Sequence, residues 1–509
     1  MSHELNDQEL LRRETRQWLI DQQHQPYQYA WPVNAHAEAI PALFAAAYPE
    51  GSEEDPAETK KVRISVAGRM MTQRIMGKAA FFNLHDMTGK IQVYVRRDDL
   101  PEGYYNDIFK KRFDLGDIVG VEGFVFITKT GELSIHAEKL ELLTKSLRPL
   151  PIVKETEDKV YGGLEDKELR YRQRYADLAI HPDVREVFRK RSRLISAMRR
   201  FLDQNDCLEV ETPVLQPLYG GASARPFNTH HNALDMPLFM RISDELYLKR
   251  LIVGGYDRVY EISKNFRNEG LSRFHNPEFT MMEVYVAYQD YRWMMDFVED
   301  MIRYIATELH GEPTVNVGDH TIRFGEPFKR ITIFGAIEEK TGHNLYGKDR
   351  EELAEIAKSL KIQVDKTMGA GKIIDEIFGE YVEPTLIQPT FITDYPVELS
   401  PLAKRHRENP NLVERFELIC NGKEVCNAFS ELNDPIDQRE RFESQTRLRT
   451  GGDEEAMVLD EDYLRALELG MPPTAGLGVG IDRLTMIMTD QPSIRDVILF
   501  PLLRPEADV

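Results

Sequence analysis

From Val62 to Leu143 the apolar residues fall at every second position. The runs are VRISVAGRM, AAFFNLHDMTGKIQVYV, DIVGVEGFVFIT and LSIHAEKLELL, separated by glycine-bearing turns. About five short strands packed so closely predict a small closed β-barrel of the OB type. Such barrels bind single-stranded nucleic acid on an open face, with aromatic platforms beside basic groups. Phe81 and Phe82 lie between Lys78 and Lys90, and alternation must turn one of the two rings inward. Between Lys60 and Arg97 there are nine Lys or Arg against one acid, Asp86, a local balance of +8 in a chain of net charge −20. An anionic partner is expected at that place, although the overall charge argues against nucleic acid.

The 509 residues exceed one compact core and suggest two to four domains. Residues 4–24 read as a helix with Leu11, Trp18 and Leu19 on one side, and EGSEEDPAETK (50–60) reads as an acidic linker. A proline-flanked stretch, KSLRPLPIVKE, closes the barrel near residue 155. Beyond it a basic amphipathic helix (184–203) leads into strands at LFMRI, RVYEISKNF, EFTMMEVYVAY, RFELIC, KEVCNAFSEL and TAGLGVGI. Most adjoin turns rather than crossover helices, so a mixed, mainly antiparallel sheet is expected. The predicted class is α+β. Its expected divisions are a helical extension and linker (1–58), the barrel (59–150), a second linker (151–180) and a larger α/β unit (181–509). No run of 18 apolar residues exists, and the first residues alternate charges without an apolar core. Cys207, Cys420 and Cys426 are the only cysteines, which favours a reducing compartment over a disulfide framework or CxxC metal site. A cytoplasmic protein without a membrane span is expected.

Chemistry concentrates in the larger unit. There is no GxxxxGK[ST], and GLGVGIDR, with glycines at 476, 478 and 480, is not GxGxxG. It reads instead as strand, turn and helix with Arg483 in the first helical turn, where an arginine can meet phosphate or stack on a purine. In RVYEISKNFR, period two puts Glu261, Ser263, Asn265 and Arg267 on one face. In EFTMMEVYVAY it groups Phe279, Met281, Glu283 and Tyr285, and a carboxylate beside a phenol suits an ammonium ion. The Asn421-Gly422 pair predicts a type I′ hairpin in which Ile419 opposes Glu424 and Glu417 opposes Cys426. Glu417 and Glu424 then share a face within reach of one hard cation, Mg²⁺ by ligand type. Asn427, Phe429 and Glu431 share a face that parity sets opposite Glu424, so one pocket for all of them needs a bulge near Cys426.

Acids for an ammonium ion, acids for a metal and arginines for phosphate, joined to a single-strand-binding barrel, equip a chain to activate an amino acid with ATP and attach it to RNA. Nearly end to end, the sequence resembles bacterial class II, subclass b, lysyl-tRNA synthetases. FLDQNDCLEVETPVLQP resembles class motif 1, NFRNEGLSRFHNPEFTMMEVY motif 2 and GLGVGIDRLTMIM motif 3; GGASARPFNTHHNALDMPLFMRISDELYLKRL and NAFSELNDP resemble segments of the lysine enzymes.

The resemblance implies that Arg267 bridges the lysine carboxylate and the α-phosphate. Glu269, His275, Asn276 and Phe279 would hold ATP, with Phe279 on adenine and Arg483 across the ring. Glu417 and Glu424 match Mg²⁺ ligands, and the family implies about three such ions per subunit around the phosphates. Gly221 and Glu245 match the α-amino site, while Glu283, Tyr285 and Glu431 match the ε-ammonium site with Asn427 and Phe429 along the substrate stem. Phe81 and Gln92 match anticodon contacts. Implied partners are tRNA(Lys), L-lysine, ATP and a second copy through motif 1. The closest rival is an aspartate or asparagine enzyme of the same subclass, but an anionic side chain would want a basic pocket where Glu283 and Glu431 stand. Short relatives that lysylate a protein lack the barrel, and a catalytically dead RNA-binding homologue should have lost some of Arg267, Glu269, Glu417, Glu424 and Arg483.

Overall fold

The computed structural model describes residues 5–48, 61–151, 154–156, 159–161, 163–365, 368–450 and 455–505. The expected acidic linker, and Lys60 with it, lies outside the described residues, as do residues 152 and 153 of KSLRPLPIVKE. The chain divides into two units, Met1–Pro182 and Asp183–Val509. Among the described residues no helix is long and apolar enough to cross a membrane.

In the first unit, β1 (Arg63–Met76), β2 (Ala79–His85), β3 (Lys90–Arg96), β4 (Ile118–Ile127) and β5 (Leu133–Thr144) close into a barrel in the order β1-β2-β3-β5-β4. AAFFNLHDMTGKIQVYV supplies both β2 and β3, because Asp86 folds the chain back by accepting from the backbone N–H of Thr88 and Gly89. Alternation fills the interior with Phe82, Leu84, Val93, Val95, Val121 and Ile135. Phe82 is the inward ring and Phe81 the outward one. Helix α1 (Asp7–Asp21) opens on an Asn6–Glu9 capping box, which satisfies two backbone donors reciprocally. It packs Leu19 and Trp18 on the barrel core, whereas Leu11, expected on the same side, is exposed.

The second unit is built on one eight-stranded sheet. Its strands are β6 (Leu208–Glu209), β7 (Arg258–Phe266), β8 (Glu278–Ala287), β9 (Lys329–Thr332), β10 (Thr390–Thr393), β11 (Arg415–Cys420), β12 (Lys423–Ser430) and β13 (Thr474–Gly480). They lie in the order β9-β10-β11-β12-β13-β8-β7-β6. Every pair is antiparallel except β9 with β10 and β6 with β7 at the two edges. Two features differ from expectation. The LFMRI strand joins a separate three-stranded sheet, and the short strands β6, β9 and β10 carry too few residues for a periodicity to show. Helices α2 (Pro182–Gln204) and α4 (Tyr291–His310) cover one face, where Met198 and Leu202 meet Met282, Val284, Val298, Met301, Leu477 and Val479. The other face carries the polar residues, with α3 (Glu245–Val253) beside it and α5 (Ile481–Met488) following β13.

Phe82 is 1% exposed, and deleting a buried phenylalanine costs about 3–5 kcal/mol. Phe82→Ala should lower the stability of the barrel by that order in urea, while Phe81→Ala should change it by less than about 1 kcal/mol. Equal losses would mean that both rings support the fold.

Candidate active site

The register of the sheet aligns the polar residues in rows. Glu417, Asn427, Gly478, Glu283 and Glu261 face one another in turn across β11, β12, β13, β8 and β7. The next row runs Arg415, Phe429, Gly476 and Tyr285. The two glycines of β13 therefore form a low floor between two walls of large side chains. A Cβ at Gly476 would land on a Glu431 carboxylate oxygen and 2.6 Å from the Tyr285 ring; one at Gly478 would come within 2.9 Å of Met281. Above this floor lies a cavity of about 380 Å³.

Its hairpin wall corrects one sequence expectation. Asn421 and Gly422 both have positive φ, as a type I′ turn requires, and Ile419 opposes Glu424. Beyond that point the register shifts, so that Leu418 opposes Cys426 and Glu417 opposes Asn427 rather than Cys426. The extra residue, Val425, is the bulge that parity demanded, and it brings Glu424, Asn427 and Phe429 to the same cavity.

One end of the cavity is acidic. Glu283 accepts from Ser243 Oγ at 2.9 Å, from the Asp244 backbone N–H at 3.2 Å and from the Tyr285 hydroxyl at 3.1 Å. Burial, with Asp244 and Glu245 nearby, pushes its carboxyl up to about 8. Burial likewise pushes Asp244 up to about 7, against the pull of Arg241. Glu245 opens α3 and, like Glu431, contacts the buried ammonium of Lys249. Gly221 borders this end with φ +87°; a Cβ there would come within 2.9 Å of Ser243 Oγ and 3.0 Å of Glu245.

The other end is basic. The Arg267 guanidinium lies 5.0 Å from the Phe279 ring centroid. Arg483 donates to Glu424 Oε2 at 2.9 Å and lies 3.3 Å from His275 Nε2. Burial tends to raise Glu424, but Arg483, Arg415 and Arg267 outweigh it and hold the carboxyl below its ordinary value. Glu417 accepts from Arg415 at 2.5 Å, and burial pushes it up to about 7. Glu269 lines the cavity; the Asn276 side chain is engaged by the Glu278 carbonyl at 2.6 Å and the Leu502 backbone N–H at 3.3 Å. Asn427 accepts from Arg415 at 2.9 Å. Among the described residues no group of three His, Cys, Asp or Glu is placed to hold a metal. Glu417 is not among the cavity-lining residues, but the Glu424 charge reaches it and, with burial, raises its carboxyl. Such a pair still fits Mg²⁺, which keeps most of its waters and takes one or two protein carboxylates beside substrate phosphates.

Sequence reasoning passed over Ser243, Lys249, Arg415 and Gly476. Lys249 stands four residues after Glu245 in ELYLK, the spacing of a helical ion pair, and that signal was available. Period two already put Arg415 on the face of Glu417, but its partners Ser400 and Asn427 converge only in the fold.

On the barrel, Phe81 and Gln92 share the outer face. Phe81 belongs to an aromatic surface with Tyr94 at 5.0 Å, which continues to His136 at 5.1 Å and Phe126 at 5.9 Å. His136 stacks on Phe124 at 4.7 Å, and Lys61 lies 4.0 Å above that ring. Gln92 accepts from Ser134 Oγ at 2.8 Å. The counted basic surplus is partly spent internally: Arg63 pairs with Glu138, Arg97 with Asp98, and Arg69 donates to the Gly116 carbonyl.

Residues 166–504 match the family model of class II tRNA synthetases (D, K and N), and residues 64–143 match that of the OB-fold nucleic acid binding domain. Lysine–tRNA ligases from two strains of Porphyromonas gingivalis are each 52% identical over 508 residues, covering 99% of this chain and 86% of the relative. The lysine–tRNA ligase of Christiangramia forsetii is 56% identical over 461 residues, 90% of this chain and 81% of the relative. The chain belongs to the lysine–tRNA ligase family of class II tRNA synthetases.

The raised carboxyls of Glu283 and Asp244 make stability depend on pH. The folded chain keeps protons on them that the unfolded chain, titrating near 4.5 and 3.8, has released. Their contribution is fully present below the unfolded values and is lost as pH rises through about 7 to 8. The free protein should therefore melt at a lower temperature at pH 9 than at pH 6, and Glu283→Gln should flatten that slope. A slope unchanged in Glu283→Gln would take the effect away from this carboxyl.

Proposed function

We propose that the chain activates L-lysine with ATP to lysyl-adenylate and pyrophosphate, then passes the lysyl group to the 3′ end of tRNA(Lys). The observation that carries this reading is a single cavity with Glu245, Glu283, Glu431 and Tyr285 at one end and Arg267 and Arg483 at the other. An anionic side chain such as aspartate would meet buried acids there, whereas a lysine side chain brings the missing cation.

In this reading Glu283, Tyr285 and Glu431 receive the ε-ammonium group, Gly221 and Glu245 the α-amino group, and Asn427 and Phe429 the stem. Arg267, at the basic end, is suited to the lysine carboxylate and the α-phosphate together. Glu269, His275, Asn276 and Phe279 hold ATP; the ring of Phe279, now under Arg267, becomes the platform for adenine. Arg483, which sits on Glu424 and beside His275 in the free chain, turns to phosphate and purine. No protein nucleophile is required. The lysine carboxylate attacks the α-phosphorus in line with the departing pyrophosphate, and acceleration comes from positioning and charge neutralisation. Glu417 and Glu424 would hold Mg²⁺, which supplies neutralisation of phosphate charge.

Phe81 and Gln92 are proposed to contact the anticodon on the aromatic surface of the barrel. A homodimer through the motif 1 region is supported by Leu208, Val214, Leu215 and Leu218, which are 39–50% exposed.

Two measurements test the assignments. Breaking a buried ion pair costs about 3–5 kcal/mol, so Glu283→Ala should lose about 10²-fold or more in lysine-dependent ATP–pyrophosphate exchange. Wild-type lysine kinetics in that variant would remove Glu283 from the pocket. One stacked base is worth about 1–3 kcal/mol, so Phe81→Ala should weaken tRNA charging by about tenfold while leaving pyrophosphate exchange intact. Equal losses in both reactions would assign the barrel a structural role only.

A further inference from the structure

Lys249 is a fully buried lysine whose charge the activation reaction does not use. Its Nζ lies 2.5 Å from Glu245 Oε1, contacts Glu431 Oε2 as well, and sits 5.4 Å from the Phe429 ring centroid. One internal ammonium thus joins the carboxylate assigned to the substrate α-amino group and one assigned to its ε-ammonium group. The other Glu431 oxygen is buried, meets no hydrogen-bond donor among the described residues, and stands beside Tyr285 over Gly476. It is an acceptor kept open toward the cavity.

Charge counting gives the arrangement a purpose. With substrate bound, when Glu283 gives up the proton it holds in the free chain, Glu245, Glu283 and Glu431 bring three negative charges to this end and Lys249 returns one positive charge, leaving two. A lysine substrate carries two ammonium groups, and its carboxylate goes to Arg267. Behind the pocket, Arg241 pairs with Asp244 and Glu261 and does not reach these three acids. Without Lys249, the dry carboxylates of Glu245 and Glu431 would repel one another until one took up a proton.

We propose that Lys249 is a positioning and specificity-determining residue, a permanent internal ammonium that favours the ionised form of Glu245 and Glu431 and holds both in place so that the pocket matches a substrate with two cationic groups. The proposal rests on the reading of the pocket given above. It concerns a side chain that stays in place, since α3 fixes its backbone and no part of it reaches solvent.

The test is ATP–pyrophosphate exchange with Lys249→Met at several pH values. Lysine KM should rise at least about tenfold near pH 7 while ATP KM stays within about twofold, because only the acid end has lost its counter-charge. As pH rises, lysine KM should fall to a plateau reached about one unit or more higher than in wild type, since a carboxyl must now shed a proton that Lys249 had kept off. Lys249→Arg, which keeps the charge, should retain the wild-type plateau even where affinity drops. Where Lys249→Met does not fold, Lys249→Gln is read in the same way. A plateau at the wild-type pH, with losses that affect lysine and ATP alike, would reduce Lys249 to a structural residue and overturn the proposal, as would an unchanged lysine KM. Glu431→Gln separates the two levels. Unchanged lysine KM there sinks the reading of the pocket itself. Altered KM there, with a wild-type profile in Lys249→Met, sinks only the role given to Lys249.

Discussion

The antiparallel register of the central sheet is the constraint on which the rest of the site depends. With Glu283 set between Glu261 and Gly478, and Tyr285 beside Gly476, alternate residues of β8 go to opposite faces. Met282, Val284 and Val286 enter the core under α2 and α4, while Met281, Glu283 and Tyr285 line the cavity. A slip of one residue would exchange these sets, placing carboxylates against helices and valines in the pocket. The apolar face therefore fixes the polar one. The same register sets the glycines of β13 between the walls, so the cavity exists where a strand without side chains runs between strands that have large ones.

A dry cavity lined with charge is costly unless each charge has a partner. The free chain meets this locally: Arg241 with Asp244 and Glu261, Lys249 with Glu245 and Glu431, Arg415 with Glu417, and Arg483 with Glu424. These pairs differ in permanence. Lys249 and Arg241 are buried and stay, whereas Arg483 and Glu424 are half-buried at the cavity edge, where partners can exchange. Burial and the neighbouring Asp244 and Glu245 push the Glu283 carboxyl up, and its donors, all neutral, do not offset them. An ammonium ion is the partner it lacks.

Much of this was legible because it rests on local period and turn chemistry. The five barrel strands, the need for one of Phe81 and Phe82 to turn inward, and the shared faces of β7 and β8 all follow from alternation. The bulge at Val425 was legible as a requirement, since Glu424 and Asn427 could not otherwise share a pocket. The three-stranded sheet and the edge strands were not, because segments of two to five residues carry no distinguishable period. The outer aromatic surface of Tyr94, Phe124, Phe126 and His136 was only half visible: each residue obeys alternation, but their adjacency comes from β3 pairing parallel to β5, a non-local contact.

By itself, the sequence determined which residues point together along each strand, where the hairpin turns, and, through its resemblance, the family. Covalent spacing and a period of two are enough for that. The tertiary structure alone decided which strands are neighbours, and therefore that Arg415 reaches Glu417 and Asn427, that Gly476 lies between Phe429 and Tyr285, and that Lys249 joins Glu245 to Glu431. Apart from the local Arg415–Glu417 and Lys249–Glu245 contacts, those pairings bring together residues far apart in the chain, and burial of the shared apolar face against α2 and α4 selects them from the alternatives.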